Sequence, residues 1–300
     1  MRITESTFNL ALDLAATRGV LPSALGSAEQ RRTLARSLRR GMVFSARVAK
    51  ADYLTAIYDE VNRILEGGYE SDMPAARLRL RGLLTRLQYT PETGFPGDAQ
   101  LGIPPAEPGS LQDLRSEERL NLILETQTGI MRGAVARAQE MQPVVMKMFP
   151  WLELVRIEQR RVPRGSADSG SLGWPARWME AAGPAPVVYQ NQTRLIAPKN
   201  HHVWRNLGDS RLFDDALDVD HPPFAFRSGF GTRQIHWREG RDMGLELPDF
   251  AKPDTTPDFP PNVIAFPSPK ASAKRIDPEI VAILKDLGPV KSTSDILRMQ

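Results

Sequence analysis

The chain has no cysteine in its 300 residues, which removes disulfides, thiolate metal ligands and cysteine nucleophiles together. It also has no run approaching the roughly 18 consecutive apolar residues that a membrane-spanning helix requires. The opening stretch MRITESTFNLALDLAATRGVLPSALG is interrupted by Asp13 and Arg18 and does not take signal-peptide form. A protein that stays in the cytosol where it is made is therefore expected. Neither of the Ser/Gly-rich stretches, GSADSGSLG at 165–173 and SGFG at 228–231, is a phosphate-cradling loop or a nucleophile elbow. The four histidines match no metal-ligand spacing.

What is present is an ordinary apolar content of 41%, enough for one large domain or two smaller ones with a buried core. Proline is abundant, at 25 residues, and clustered without a period, which argues for long ordered loops or extended arms. The net charge of +3 hides an asymmetry: residues 1–50 carry nine basic side chains against three acidic ones. Arg31, Arg32, Arg36, Arg39 and Arg40 are thus the candidate contacts for DNA or an acidic partner. The same arginines also fit the solvated face of a long helix.

Periodicity predicts helix from Ser27 to Leu65 with a break at Gly41, its apolar stripe running through Val43, Val48, Leu54, Ile57, Val61 and Leu65. Gly67 and Gly68 end it, and Pro74 is expected to open the next helix, which carries Leu78, Leu80, Leu83, Leu84 and Leu87. Residues 90–110 read as a Pro/Gly-rich loop or linker. A third helix follows, with Ser116 as its cap and Glu117 and Glu118 in the acid-favouring first turn. After Pro143 the texture changes. WLELVRIEQRRV and PVVYQNQTRLIA read as strands, the second as a pair or hairpin, while GWPARWMEAAG and NHHVWRNLGD read as a short helix and a helix turn.

The fold class expected is α+β: a mainly helical N-terminal half, a small loop-rich α+β domain, and an extended proline-rich C-terminal arm with a short terminal helix. The boundaries are 1–89 for the helical region with its basic arm, 90–110 for the linker, 111–246 for the α+β domain and 247–300 for the arm. Residues 247–269 hold seven prolines. The helix at 277–288 has Asp277 to cap it, Pro278 at its first position and Gly288 after its end, with Ile280, Ile283, Leu284 and Leu287 as an apolar stripe. A capped amphipathic helix on a tether is expected to dock on a partner or another subunit.

The densest stretch is DHPPFAFRSGFGTRQIHW at 220–237. Its interleaved arginines and aromatics suit a stacking platform for single strands but equally a rigid corner. In the second reading Pro222 and Pro223 set an extended entry, Phe224 and Phe226 turn inward, Gly229 and Gly231 permit a turn, and Arg233 satisfies a nearby carboxylate or carbonyl. His201 is expected to cap a helix turn, and His221 to stand in for an aromatic beside Pro222.

Several of these stretches, in the order LNLILETQTGIMRGAVARAQEM, FPWLELVRIEQRRVPR, WPARWMEAAG, TRLIAPKNHHVWRNLG and DHPPFAFRSGFGTRQIHWREGRDMGL, resemble the phage head morphogenesis proteins of the Mu protein F type. The resemblance covers residues 111–246. It is carried by the Glu158-x-Arg160 run, by Trp174, Arg177 and Trp178, by Lys199 and Trp204, and by a closing motif through Pro222, Pro223, Phe224, Phe226, Ser228, Gly229 and Arg233. It implies a non-enzymatic minor capsid protein of a tailed phage, present in few copies in the virion after assembly in the host cytoplasm. It also implies portal, capsid or neck proteins as partners, with no cofactor, metal or membrane, and with DNA contact and self-association left open. Many relatives carry cysteine and histidine near the closing motif, compatible with a metal site, and this chain departs from them in lacking cysteine. Two other classes stand beside this one: a DNA-binding protein that travels with the genome, and a metal-dependent hydrolase or nuclease built on His201, His202, His221 and Asp220.

Overall fold

The computed structural model describes residues 19–34, 42–67, 69–158, 173–183, 190–191 and 194–251. In chain order these form β1 (Gly19–Val20), α1 (Ser27–Thr33), β2 (Met42–Val43), α2 (Ala51–Gly67), α3 (Tyr69–Arg86), α4 (Glu117–Glu140), α5 (Pro143–Met148), β3 (Trp151–Arg156), α6 (Trp174–Ala182), β4 (Gln190–Asn191), β5 (Arg194–Pro198), α7 (Val203–Leu207), β6 (Phe230–Ile235) and α8 (Trp237–Asp242). The fold is α+β, helical in its first half. No helix among the described residues is long and apolar enough to cross a membrane.

The helical layer is built by α2, α3 and α4. Leu54, Ile57, Val61 and Ile64 recur at helical spacing on α2 and are buried against Leu80 and Leu84 of α3 and Leu120, Leu124 and Met131 of α4. Each such side chain contributes about 1.5–3 kcal/mol by leaving water. Glu60 of α2, itself buried, accepts two hydrogen bonds from Arg79 of α3, Nε to Oε1 at 2.8 Å and Nη2 to Oε2 at 2.6 Å. This bidentate clamp fixes the two helices in register. Helix α4 begins as its sequence demands, the Ser116 hydroxyl accepting from the Arg119 N–H at 3.1 Å.

Three local expectations are corrected. The helix expected to resume after the break at Gly41 does not begin until Ala51: Val43 and Val48 belong to the core, but Val43 reaches it from β2, paired in parallel with β1, and Val48 from a bridge to Ser23. Two β-branched valines five residues apart suit this extended path. The second helix does not open at Pro74; it begins at Tyr69 and holds Pro74 inside its second turn, where the ring costs a single backbone hydrogen bond. Leu78, expected on that helix's apolar side, is 72% exposed.

Residues 90–110 do form a loop, but they do not separate two independently packed halves. Phe95 is buried, its ring 5.0 Å from Tyr89 and 5.8 Å from Tyr53, and Asp98 accepts from the Phe95 N–H at 2.8 Å. The loop is a plug on the helical core, and the described residues fall within a single compact unit, Met1–Thr255. The arm, with its expected docking helix, lies outside the described residues from 252 onward.

The second core surrounds an antiparallel sheet of order β4-β5-β3-β6. Alternation sorts its two faces. Leu152 and Leu154 of β3 and Ala197 of β5 face α6 and α7, while Trp151 of β3, Ile196 of β5 and Ile235 of β6 face α8 and the segment through Met243, Leu245 and Leu247. The expected hairpin is β4 with β5, the short helix is α6, ended by Gly183, and the helix turn is α7.

The two cores meet along α4. Gly129 and Gly133 lie four residues apart, hence on one face, and that face receives the corner His221-Pro222-Pro223, whose Pro222–Pro223 bond is cis. A Cβ at Gly133 would overlap the Pro222 carbonyl oxygen and the His221 ring, and one at Gly129 would sit 3.1 Å from the Pro223 ring. Ion pairs flank the contact: Arg227 donates to Glu118 at 3.0 Å and Arg137 lies 3.7 Å from Asp220. Ordinarily Gly→Ala inside a helix stabilises by up to about 1 kcal/mol. Gly133→Ala should instead destabilise by about 1–3 kcal/mol through overpacking, whereas Gly82→Ala on α3, where the nearest atom is Arg86 Nη1 at 3.9 Å, should follow the ordinary sign. Urea unfolding of both variants checks the contrast.

Candidate binding cleft

A cleft of about 510 Å³ opens between α1, the residues after β2, the 89–114 loop, α4 and the 214–219 loop. Its walls are mainly apolar, with Phe44, Ile103, Leu122, Ile123, Ile130, Leu217 and Phe226 among them. Helix α4 supplies the floor because Arg119, Ile123, Thr126, Gln127 and Ile130 recur on one side of it. Arg119 is therefore a cation on a helix face whose other members are uncharged. Its Nη2 donates to Ser45 Oγ at 2.6 Å and to the Ala46 carbonyl at 3.1 Å, while its Nε is buried with no hydrogen-bond partner. Burial pulls its pKa below the ordinary value, the phenols of Tyr53 and Tyr89 oppose this, and Arg47 adds to it. Arg47, which also lines the cleft, is exposed and takes a left-handed backbone, φ 59°. Burial pushes the Tyr89 hydroxyl up to about 12; its oxygen accepts from the Leu114 N–H at 3.0 Å.

Beside the cleft, the residues that carry the resemblance condense into one corner. Trp174, Trp178, Trp204 and Phe224 are buried together, with Trp178 and Trp204 edge to face at 5.2 Å and Trp204 over Phe224 at 6.3 Å. Arg177, 2% exposed, donates to Asp215 Oδ1 at 2.6 Å and to the Leu207 carbonyl at 2.7 Å, and its guanidinium lies 4.0 Å from the Phe213 ring centre. Arginine suits this place because its planar fork hydrogen-bonds in plane while its faces stack. Phe224 is buried as expected, whereas Phe226 is only half-buried and lines the cleft. Gly229 has the positive φ of 64° that a turn requires, but Gly231 lies within β6. Glu158 holds the same turn through its N–H to the Gly229 carbonyl at 3.1 Å; Arg160 lies outside the described residues.

On the sheet's other face Glu153 accepts from Arg194 at 2.7 Å and from Arg233 at 2.8 Å, and Glu239 accepts from Arg233 at 2.7 Å. Burial alone would raise the Glu153 carboxyl, but the hydrogen bonds from Arg194 and Arg233 outweigh it and hold it below its usual value. Arg233 thus satisfies carboxylates, as its sequence context suggests.

The histidines are each engaged locally. His201 Nδ1 accepts from the Val203 N–H at 3.1 Å, the capping role expected of it, and its ring stacks on that of His202. His202 Nε2 is 2.8 Å from the Ala182 carbonyl oxygen, His221 Nδ1 is 2.9 Å from that of Pro222, and His236 caps α8 through Nδ1 and the Arg238 N–H at 3.2 Å. No group of three or more His, Asp or Glu side chains suited to a metal ion occurs among the described residues. Of the candidate contact arginines, Arg32 is exposed on α1. Arg31 is placed only by its backbone in that helix, and Arg36, Arg39 and Arg40 lie outside the described residues, as do Ile280, Ile283, Leu284 and Leu287. Comparison with family models, with curated proteins and with solved structures finds no match.

The cleft itself is not visible in any one stretch of sequence, since its walls come from residues 26 to 226. The one local signal is Arg119, set four residues before Ile123 on an otherwise uncharged side of the helix.

Lys199, fully buried, donates from Nζ to the Glu140 carbonyl at 3.0 Å and to Gln234 Oε1 at 2.8 Å. Burial lowers its pKa to about 8 from the ordinary 10.5, with Glu140 opposing and Arg137 assisting. Between these values the unfolded chain binds the proton more tightly than the folded one, so the penalty of burying the charge is full below pH 8 and relieved as pH rises. The wild-type protein should therefore gain stability relative to Lys199→Met from pH 8 to 10, read from paired urea midpoints across that range.

Proposed function

We propose that the protein is a structural and assembly component of a tailed-phage head, a minor capsid protein that binds portal, capsid or neck proteins. The observation that carries this reading is the meeting in space of the residues on which the resemblance rests. Trp174, Arg177, Trp178, Trp204 and Phe224, spread over some fifty positions of the sequence, share one core, and Pro222 and Pro223 seat that core on α4. A spaced pattern that closes into mutual contact is what a pattern specifying a fold must do. The half-helical scaffold offers faces for partners, and the amphipathic helix that the sequence predicts at 277–288 of the proline-rich arm would suit helix-in-groove docking. The protein's place in this reading is the virion, reached from the host cytoplasm.

Quantitative mass spectrometry of purified particles, counting this chain against portal and major capsid subunits, is the test. A ratio near or below that of the portal is expected, and deletion of residues 270–300 should lower it. Absence of the chain from mature particles would overturn the reading of a virion component.

A further inference from the structure

We propose that the cleft on α4 is a binding site for a small organic anion, an apolar ligand carrying one carboxylate or phosphate group, with the anion seated on Arg119. The inference does not rest on an assembly role; it rests on charge and shape. A guanidinium has five N–H donors in a fixed fork. In Arg119 only Nη2 is engaged among the described residues, by Ser45 and Ala46; Nε is enclosed without a partner, and Nη1, which is not enclosed in that way, is left to meet a ligand. Taking a cation out of water without a counter-charge is costly; among the described residues Arg119 meets only neutral oxygens, and Arg47 acts on it with like charge.

The acids that line the cleft do not fill this role. Asp98 accepts from the Phe95 N–H at 2.8 Å, Asp215 pairs with Arg177 at 2.6 Å, and Asp218 accepts from the Ser210 N–H at 3.1 Å. Asp214 is exposed at the rim. An incoming anion meeting Nη1 would supply the missing charge through a short charge-assisted bond. Arg47 at the mouth favours entry of the same sign.

Shape selects the rest of the ligand. A volume of about 510 Å³ falls in the range of roughly 300–1,000 Å³ that small-molecule pockets occupy. Its apolar wall, formed by Phe44, Ile123, Leu217 and Phe226, suits an alkyl chain or an aromatic ring. Because α4 closes one side and the 214–219 loop another, the space encloses a small molecule more readily than a folded surface.

Isothermal titration of the full chain with dodecanoate and with dodecyl phosphate, beside dodecyltrimethylammonium as the cation of matching chain, tests the assignment below the aggregation limits of all three. Saturable one-to-one binding of at least one of the two anions is expected, with the cation at least about tenfold weaker. Arg119→Gln should weaken the anion by about tenfold or more, and Arg119→Lys should retain part of the affinity. Leu217→Trp, placed in the loop wall, should block binding by filling the space while leaving thermal unfolding near that of the wild type. This variant carries the test if Arg119→Gln fails to fold. Saturable binding by neither anion, equal binding of anion and cation, or undiminished binding by folded Arg119→Gln or by Leu217→Trp would overturn the proposal.

Discussion

The seating of the His221-Pro222-Pro223 corner on Gly129 and Gly133 is the contact on which the two cores depend. Helix α4 is a wall of the helical layer through Leu120, Leu124 and Met131, and on another side it accepts the corner that ends in Phe224, a central residue of the second core. Backbone can approach a helix this closely only where Cβ atoms are missing, and two glycines a turn apart provide that opening. The flanking pairs Arg227–Glu118 and Arg137–Asp220 align the loop along the helix. The exposed Arg227–Glu118 pair adds little energy of its own, so the steric fit does most of the positioning.

The cleft follows from the same arrangement. Once the corner holds the 220s against α4, the preceding residues 214–219 arch over the N-terminal half of that helix and leave a space lined by Leu217 and Phe226 on one side and by Ile123 and Ile130 on the other. The site is thus a product of the junction between cores rather than of either core alone.

Charged groups in this protein divide by how their burial is compensated. Arg177 and Glu153 are both buried, and each meets opposite charge and good hydrogen-bond geometry: Arg177 has Asp215 and a carbonyl, Glu153 has two arginines. Such sites hold structure in place because removing either partner would strand a charge. Lys199 is a middle case, with its amine donating to neutral oxygens. Arg119 differs in meeting only neutral oxygens, Ser45 Oγ and the Ala46 carbonyl, with an arginine for a charged neighbour, and it lines open space.

What the sequence by itself determined is local. Helical period placed the stripe Leu54-Ile57-Val61, a serine and two acids marked the start of α4, a glycine marked the end of α6, and β-rich stretches marked β3 and the β4–β5 hairpin. Each of these depends on interactions within a few residues, which composition and spacing record directly. Where the reading of helix across 42–50 and at Pro74 failed, a tertiary demand prevailed: β2 pairs with a strand more than twenty residues earlier, and α3 runs back past its proline. Only the tertiary structure decided that residues 90–110 plug a core, that Gly129 and Gly133 receive a proline corner, and that Arg119 looks into a cleft. Those outcomes depend on distant segments meeting, and on which buried charge finds an opposite one, which no local pattern encodes.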